Sequence, residues 1–317
     1  MKIVFLGTPE FAVPSLEAII KAGYDLPLVV TQPDRPKGRE GKPQPPPVKL
    51  LAQARGISVC QPESVNSEES VPRLAAEQPD VLVVAAFGQI LRRRVIELPR
   101  IACVNVHASL LPKYRGAAPV PAAILNGERV SGVTIQKVVR KLDAGDVIRQ
   151  ESIPIGDDET AGELAERLAR LGGTLLIEAL RDLEHGTARF VPQDDSLATS
   201  APMLTKADGL IRWSQNAEQV ARHVRAMTPW PGAFTFLARG AQPLRITIKR
   251  ARPESRGNEQ PGEPGVIVSV SRERFAVKAG CGVVLVEELQ PAGKRQMSAA
   301  EFIRGYRITT GERFADG

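Results

Sequence analysis

Lys2-Ile3-Val4-Phe5-Leu6, then Gly7-Thr8-Pro9-Glu10, then Phe11 to Ala22 closed by Gly23, opens the chain. The first run has the apolar density of a buried strand. The second is a helix-start signal, with Thr8 expected as N-cap and Pro9 at the first helical position. The third repeats apolar residues at helical spacing, and Gly23 is a natural stop. Leu26–Thr31 reads as the next strand. The alternation continues. A helix is expected over Val48–Arg55, ended by Gly56, and a strand over Ile57–Cys60. Another helix follows over Val71–Glu77, and Val81–Ala86 is a continuous apolar run suited to a strand covered on both faces. Strands alternating with helices predict an α/β domain with a doubly wound, mostly parallel sheet.

Thr160–His185 reads as one long helix, with Leu164, Leu168, Leu171, Leu175 and Leu176 on one stripe. Residues 186–203 lack periodicity and are expected to be a linker. Beyond them the pattern changes. A helix over Ala217–Met227 precedes short strand-like runs at Ala233–Leu237, Leu244–Arg250, Gly265–Ser269, Phe275–Lys278 and Val283–Leu289. Such spacing, with Gly and Pro between, predicts a small β-barrel. The expected organisation is therefore residues 1–185, a linker over 186–203, and a barrel over 204–317.

At 317 residues, two domains are expected. No run of 18 apolar residues exists, so no transmembrane helix is expected. The short N-terminal apolar run suits a first strand better than a secretory signal. Cys60, Cys103 and Cys281 are scattered, lack metal-ligand spacing, and read as reduced thiols of a cytoplasmic protein. The formal charge is +6, and it is uneven. Residues 204–317 hold 18 Lys and Arg against 11 Asp and Glu, whereas the remainder is almost balanced. A basic barrel suits a nucleic-acid partner, although an Arg-rich composition alone also yields such an excess. The Pro-rich stretch Gln32–Lys49 carries Lys37, Arg39, Lys42 and Lys49. It is either a solvated linker or a semi-stiff basic loop able to grip phosphates.

The densest chemistry lies in Val104-Asn105-Val106-His107-Ala108-Ser109-Leu110-Leu111-Pro112-Lys113-Tyr114-Arg115-Gly116. Asn105 and His107 sit two apart, so on a strand they share one side. The strand then opens into a Pro/Gly/Arg loop, where open α/β sheets place ligands. Downstream, Leu142-Asp143-Ala144-Gly145-Asp146 offers a carboxylate able to bias His107. A lone histidine is more often packed, and Asp-Ala-Gly-Asp is more often only a turn, so spacing leaves both readings open.

Longer motifs narrow the choice: Met1 to Phe11, Thr31-Gln32-Pro33-Asp34-Arg35-Pro36, Ala86-Phe87-Gly88-Gln89-Ile90-Leu91, Asn105 to Pro112, Gly132-Val133-Thr134-Ile135 and Leu142 to Asp146. In the C-terminal part come Thr205 to Gly209, Trp213, Pro229-Trp230-Pro231-Gly232-Ala233 and Leu289 to Lys294. Through these the chain resembles the methionyl-tRNA formyltransferase family along nearly its whole length. The resemblance implies a Rossmann-like formyltransferase domain followed by an OB-like barrel. It implies Asn105, His107 and Asp143 as catalytic residues. It assigns Phe87, Gly88, Gln89, Ile90, Leu91, Ser109, Leu110, Leu111 and Pro112 to the folate site. It assigns Arg35, Lys37, Arg39, Lys42, Lys206, Arg245, Lys249 and Arg250 to tRNA. The implied formyl donor is 10-formyltetrahydrofolate, the acceptor initiator methionyl-tRNA, and no metal is expected. A cytoplasmic monomer is expected. Arg92, Ser200, Met203 and Glu40 depart from the family pattern, and none falls on the catalytic trio.

Rival readings have specific discriminators. A nicotinamide-dependent oxidoreductase would need G-x-G-x-x-G after the first strand, and Gly7-Thr8-Pro9-Glu10-Phe11-Ala12 lacks it. A folate-dependent formyltransferase acting on a nucleotide-sugar or purine-precursor amine would keep the trio but would not need a basic barrel. A non-catalytic RNA-binding protein would not need the trio.

Overall fold

The computed structural model describes residues 1–36, 41–239, 242–254 and 262–315. The chain divides into two compact units. The first comprises Met1–Pro119, Val130–Pro154 and Ala165–Pro202, and the second Val120–Arg129, Ile155–Leu164 and Met203–Gly317.

The first unit is built on a seven-stranded sheet. Its strands are β1 (Lys2–Gly7), β2 (Asp25–Val30), β5 (Ser58–Cys60), β6 (Val81–Ala85), β7 (Ala102–His107), β8 (Val130–Lys137) and β9 (Val147–Pro154), in the order β5-β2-β1-β6-β7-β8-β9. The pairings from β5 to β7 are parallel, whereas β7–β8 and β8–β9 are antiparallel. The central strands are apolar throughout because both faces are covered. Val4, Leu6, Leu28, Val30, Leu82, Val84 and Cys103 form one core with Val65, Leu74 and Val95. Edge strand β9 instead exposes Gln150, Glu151 and Ser152, which blunts the edge. A small hairpin, β3 (Arg35–Pro36) with β4 (Pro43–Gln44), lies between β2 and β5.

Helix α1 (Val13–Lys21) starts later than the sequence suggests, after a 3₁₀ turn over Glu10–Ala12, and Thr8 does not cap it. The Thr8 hydroxyl instead donates to the Phe87 carbonyl at 2.8 Å and accepts from the Gln32 amide at 3.3 Å. It ties together the ends of β1, β2 and β6. Helix α2 (Pro47–Ala54) begins inside the Pro-rich stretch, with Pro47 at its first turn. Helices α3 (Ser70–Ala76), α4 (Arg93–Ile96), α5 (Pro119–Leu125) and α6 (Ala161–Glu184) complete this part of the chain. The stripe on α6 is buried at Leu164, Leu168, Leu175 and Leu176.

The stretch 186–203, read from sequence as a linker, is no free tether up to Pro202. Val191 pairs with Val147 through both backbone bonds, the Arg115 amide donates to the Thr199 carbonyl at 2.8 Å, and the Ala201 amide donates to the Arg115 carbonyl at 2.7 Å. Tertiary pairing of this kind leaves no periodic mark in sequence.

The second unit carries α7 (Ala217–Ala226), β10 (Ala233–Leu237), β11 (Leu244–Pro253), β12 (Ile267–Val270), β13 (Phe275–Lys278), β14 (Val283–Pro291), β15 (Met297–Ser298), α8 (Ala299–Tyr306) and β16 (Phe314–Ala315). All its strand pairings are antiparallel, in the order β12-β13-β14-β11-β10-β16. The two ends of that path meet. The Ile267 amide donates to Glu312 at 2.8 Å and the Phe314 amide to Gly265 at 2.8 Å, so the sheet closes into the expected small barrel. Trp213 and Phe275 stack on Phe314, Phe302 packs tilted against Phe275, and the Trp213 indole N–H donates to the Thr235 hydroxyl at 3.0 Å. Among the described residues, no helix is long and apolar enough to cross a membrane.

Candidate active site

Strand β7 carries Asn105 and His107 on one face. Its antiparallel neighbour β8 sets Gln136 opposite Asn105 and Thr134 opposite His107. Directly opposed residues share a face, so four polar side chains form one patch beside the apolar central strands. Strand β9 extends it by placing Gln150 opposite Thr134.

Asp143 arrives from the turn after β8 with φ +46, a left-handed conformation that Asp tolerates better than most residues. Its Oδ1 accepts from Gln136 Nε2 at 2.9 Å and more distantly from Asn105 Nδ2 at 3.5 Å. Its Oδ2 accepts from the Gly116 amide at 2.9 Å and lies 3.8 Å from His107 Nδ1. His107 is buried, and its Nε2 meets the Tyr114 carbonyl at 3.0 Å. A carbonyl only accepts, so Nε2 carries a proton in either charge state. The other ring nitrogen, Nδ1, faces Asp143. The structure thus brings together Asn105, His107 and Asp143, and places them where β7 runs out of the sheet.

The loop Ser109–Pro112 is fixed from beneath. Thr134 Oγ1 donates to the Ser109 carbonyl at 2.6 Å and accepts from the Leu111 amide at 3.1 Å. Gln150 Nε2 donates to the Leu111 carbonyl at 2.9 Å. The Ser109 hydroxyl is buried and donates to the Lys113 carbonyl at 2.6 Å. Leu111 is buried, and Leu110 and Pro112 are half-buried. In the second loop, Phe87 is packed in the core and Gln89 is spent internally, accepting from the Val65 amide at 2.7 Å. Gly88 and Ile90 are exposed and Leu91 is half-buried.

The basic residues fall into distinct environments. Lys37 and Arg39 lie outside the described residues. Lys42 is exposed, and Arg35 pairs with Glu63 at 2.9 Å. In the second unit, Lys206 is exposed, Arg245 stands over the Phe234 ring at 4.1 Å, and Lys249 is half-buried on the same strand. Arg250 pairs with Glu163 at 2.8 Å.

Sequence reasoning missed four contributors. Gln136 and Thr134 were findable, because two polar residues at alternate positions interrupt an apolar strand. Tyr114 acts through its carbonyl, which side-chain patterns do not show. Gln193 lies in the non-periodic stretch and donates to the carbonyls of Asp143 at 2.9 Å and Gly145 at 2.7 Å.

Residues 1–180 match the family model described as formyl transferase, and residues 203–307 the one described as formyl transferase, C-terminal domain. The chain is 45% identical over 312 residues to methionyl-tRNA formyltransferase of Moorella thermoacetica, spanning 98% of each chain. It is 46% identical over 316 residues to that of Geobacter sulfurreducens, spanning 100% of this chain and 97% of the other. Among solved structures, it resembles WlaRD, a sugar 3N-formyl transferase seen in the presence of dTDP and 5-N-formyl-THF. There the TM-score is 0.65 at 17% identity, over 93% of this chain and 99% of that one. It also resembles HypX from Aquifex aeolicus in complex with tetrahydrofolic acid, with a TM-score of 0.62 at 20% identity, covering 96% of this chain but only 48% of HypX. The two structural likenesses speak for the fold alone. Near-half identity over the full length of the sequence relatives goes further, and with both domain models matched it makes this chain a member of the methionyl-tRNA formyltransferase family.

Proposed function

We propose that this chain transfers the formyl group of 10-formyltetrahydrofolate to the α-amino group of methionyl initiator tRNA. The observation that carries the proposal is the convergence of the Asn105 amide, the His107 imidazole and the Asp143 carboxylate at the end of β7. The amine attacks the formyl carbon, and the formyl oxygen takes negative charge. Asn105 Nδ2 and a protonated His107 Nδ1 are donors suited to that oxygen. The bond from formyl carbon to the folate nitrogen then breaks. The amine has a proton to lose and the folate nitrogen one to gain. Asp143 carries it, directly or through a water.

In the same reading, residues 1–185 bind folate and perform the chemistry. Phe87–Leu91 and Ser109–Pro112 line the folate site, with Phe87 and Ser109 contributing through the backbone. Residues 204–317 hold the tRNA through Lys206, Arg245, Lys249 and Arg250, and Arg35, Lys37, Arg39 and Lys42 approach the acceptor end. The enzyme works as a cytoplasmic monomer.

The deciding assay supplies labelled formyl donor and charged initiator tRNA and looks for formylmethionine. His107→Ala and Asp143→Ala are each expected to lower turnover by about 10² or more while folate binding survives. Near-wild-type turnover in either would overturn these roles. Formylation of a nucleotide-linked amino sugar instead of tRNA would favour the alternative acceptor.

A further inference from the structure

We propose that Gln193 is a positioning residue for formyl transfer, holding the Asp143 carboxylate in place through Gln136 and through the backbone of the Asp143 turn. The proposal rests on the role given above to Asp143.

Both ends of the Gln193 amide are engaged. Its Nε2 lies 2.9 Å from the Asp143 carbonyl, 2.7 Å from the Gly145 carbonyl and 3.2 Å from Gln136 Oε1. Its Oε1 accepts from Arg115 Nε at 3.1 Å and Nη2 at 2.7 Å. Arg115 is itself anchored to Asp195 at 2.8 Å. Since a guanidinium only donates, the Arg115 contact fixes which end of the Gln193 amide faces the turn.

Gln193 then fixes a second amide. Gln136 is buried, and its side chain lies between two partners of opposite demand. Asp143 Oδ1 accepts a hydrogen bond, and Gln193 Nε2 donates one. With Gln193 in place, both partners hold the Gln136 NH₂ toward the carboxylate. Without it, the carboxylate alone orients Gln136, whose buried oxygen loses the donor at 3.2 Å. The order Arg115, Gln193, Gln136, Asp143 is thus a directional relay of donors ending on the carboxylate that faces His107.

The backbone adds an independent reason. Asp143 is non-glycine at φ +46, and such a residue persists where its surroundings over-determine it. The two carbonyls that Gln193 binds belong to Asp143 itself and to the residue two beyond. Gln193 therefore clamps the turn whose side chain must point at His107. No catalytic atom need touch Gln193 for its loss to misplace the carboxylate.

The test is steady-state formylation of charged initiator tRNA by the full chain carrying Gln193→Met, Gln193→Glu, Gln136→Ala, or Gln193→Met with Gln136→Ala. Met keeps length without donors, and Glu keeps the acceptor for Arg115 while losing the donors. Both Gln193 variants are expected to lose about tenfold or more in kcat, the scale of a misplaced catalytic group. KM for tRNA and for folate should stay within twofold, and melting should match the wild type. The double variant should be slower than Gln136→Ala, but by a smaller factor than Gln193→Met costs on its own, because one of the two routes from Gln193 runs through Gln136. A kcat within twofold of wild type for Gln193→Met would overturn the proposal, as would losses in Gln193→Met and Gln136→Ala that multiply. A rise in KM alone would equally do so. Asp143→Ala run alongside separates the two levels: if it too is fully active, the catalytic reading has failed and not merely the positioning one.

Discussion

Gly116→Ala tests how the site is braced. Gly116 has φ +121, a region closed to side chains, and donates its amide to Asp143 Oδ2 at 2.9 Å. A Cβ placed there would lie 2.5 Å from the Ala201 carbonyl oxygen. The backbone conformation alone costs about 1–3 kcal/mol. Relieving the clash means moving the segment at Ala201, whose amide donates to Arg115 at 2.7 Å and whose carbonyl accepts from Ala118 at 3.1 Å. Losing one of these two bonds costs about 1 kcal/mol net. A total destabilisation of about 2–4 kcal/mol follows, within the range of strain mutants. For a unit of this size that lowers Tm by about 5–15 °C. The amide at residue 116 retreats from Asp143, so kcat should fall about tenfold as well. Gly23→Ala is the comparison. It has φ +76 with nothing within 4 Å of the added Cβ, so it carries the conformational cost alone, about 1–2 kcal/mol, with kcat unchanged. Thermal melts followed by formylation assays read both effects. A Gly116→Ala protein that melts no lower than Gly23→Ala and keeps full kcat would refute the reasoning.

Three further outcomes are expected. A thiol reagent at neutral pH should modify Cys281, which is exposed, before Cys60 and Cys103, which are buried; burial pushes the Cys103 thiol up to about 12, and fast modification of Cys103 in the folded protein would contradict the packing of β7. The carboxyl of Glu312 is held below its ordinary value, first by the Arg239 guanidinium bonded to both its oxygens and also by the Thr309 amide, so its stabilising effect is complete above pH 4.5 and is lost as pH falls through the depressed value. Glu312→Gln should accordingly lower the melting temperature at pH 7 and narrow the gap between melts at pH 7 and pH 3, and an unchanged gap would refute this. Arg245→Ala with Lys249→Ala should weaken tRNA binding and reduce the slope of log affinity against log salt by about 1.5, two phosphate contacts' worth, whereas Arg250→Ala, already paired with Glu163, should change it less.

Much of the first unit can be read from periodicity. The central strands are buried on both faces, so apolar density marks them, and Asn105 and His107 stand out because polar residues interrupt that density. The direction of β8 cannot be read this way, since an apolar run looks alike in parallel and antiparallel pairing. Thr8 shows a second limit. Its local context suits an N-cap, but the Phe87 carbonyl and Gln32 amide compete for the hydroxyl, and those partners lie far away in sequence. Gln193 shows a third. A residue that works by bonding the backbone of a distant turn needs no periodic neighbours, so its segment looks like a connector. In the barrel, alternation located the strands, while closure rests on backbone bonds between 265–267 and 311–314 that have no side-chain signature.

The docking of residues 186–202 onto the rest of the first unit bears on when the enzyme becomes competent during synthesis. The strand bearing Asn105 and His107 leaves the ribosome long before Gln193, Thr199 and Ala201 do. A nascent chain holding residues up to Glu184 has every strand of the first sheet and its long helix, yet the turn at Asp143 still lacks its partner and Tyr114 lacks the Thr199 hydroxyl that receives its amide at 2.8 Å. Such late, sequence-distant closures are slow relative to local structure and come last in vectorial folding. The candidate site is therefore completed from its far end. Fragments designed to stop at the helix terminus would carry Asn105, His107 and Asp143 without the residue that bonds the Asp143 turn.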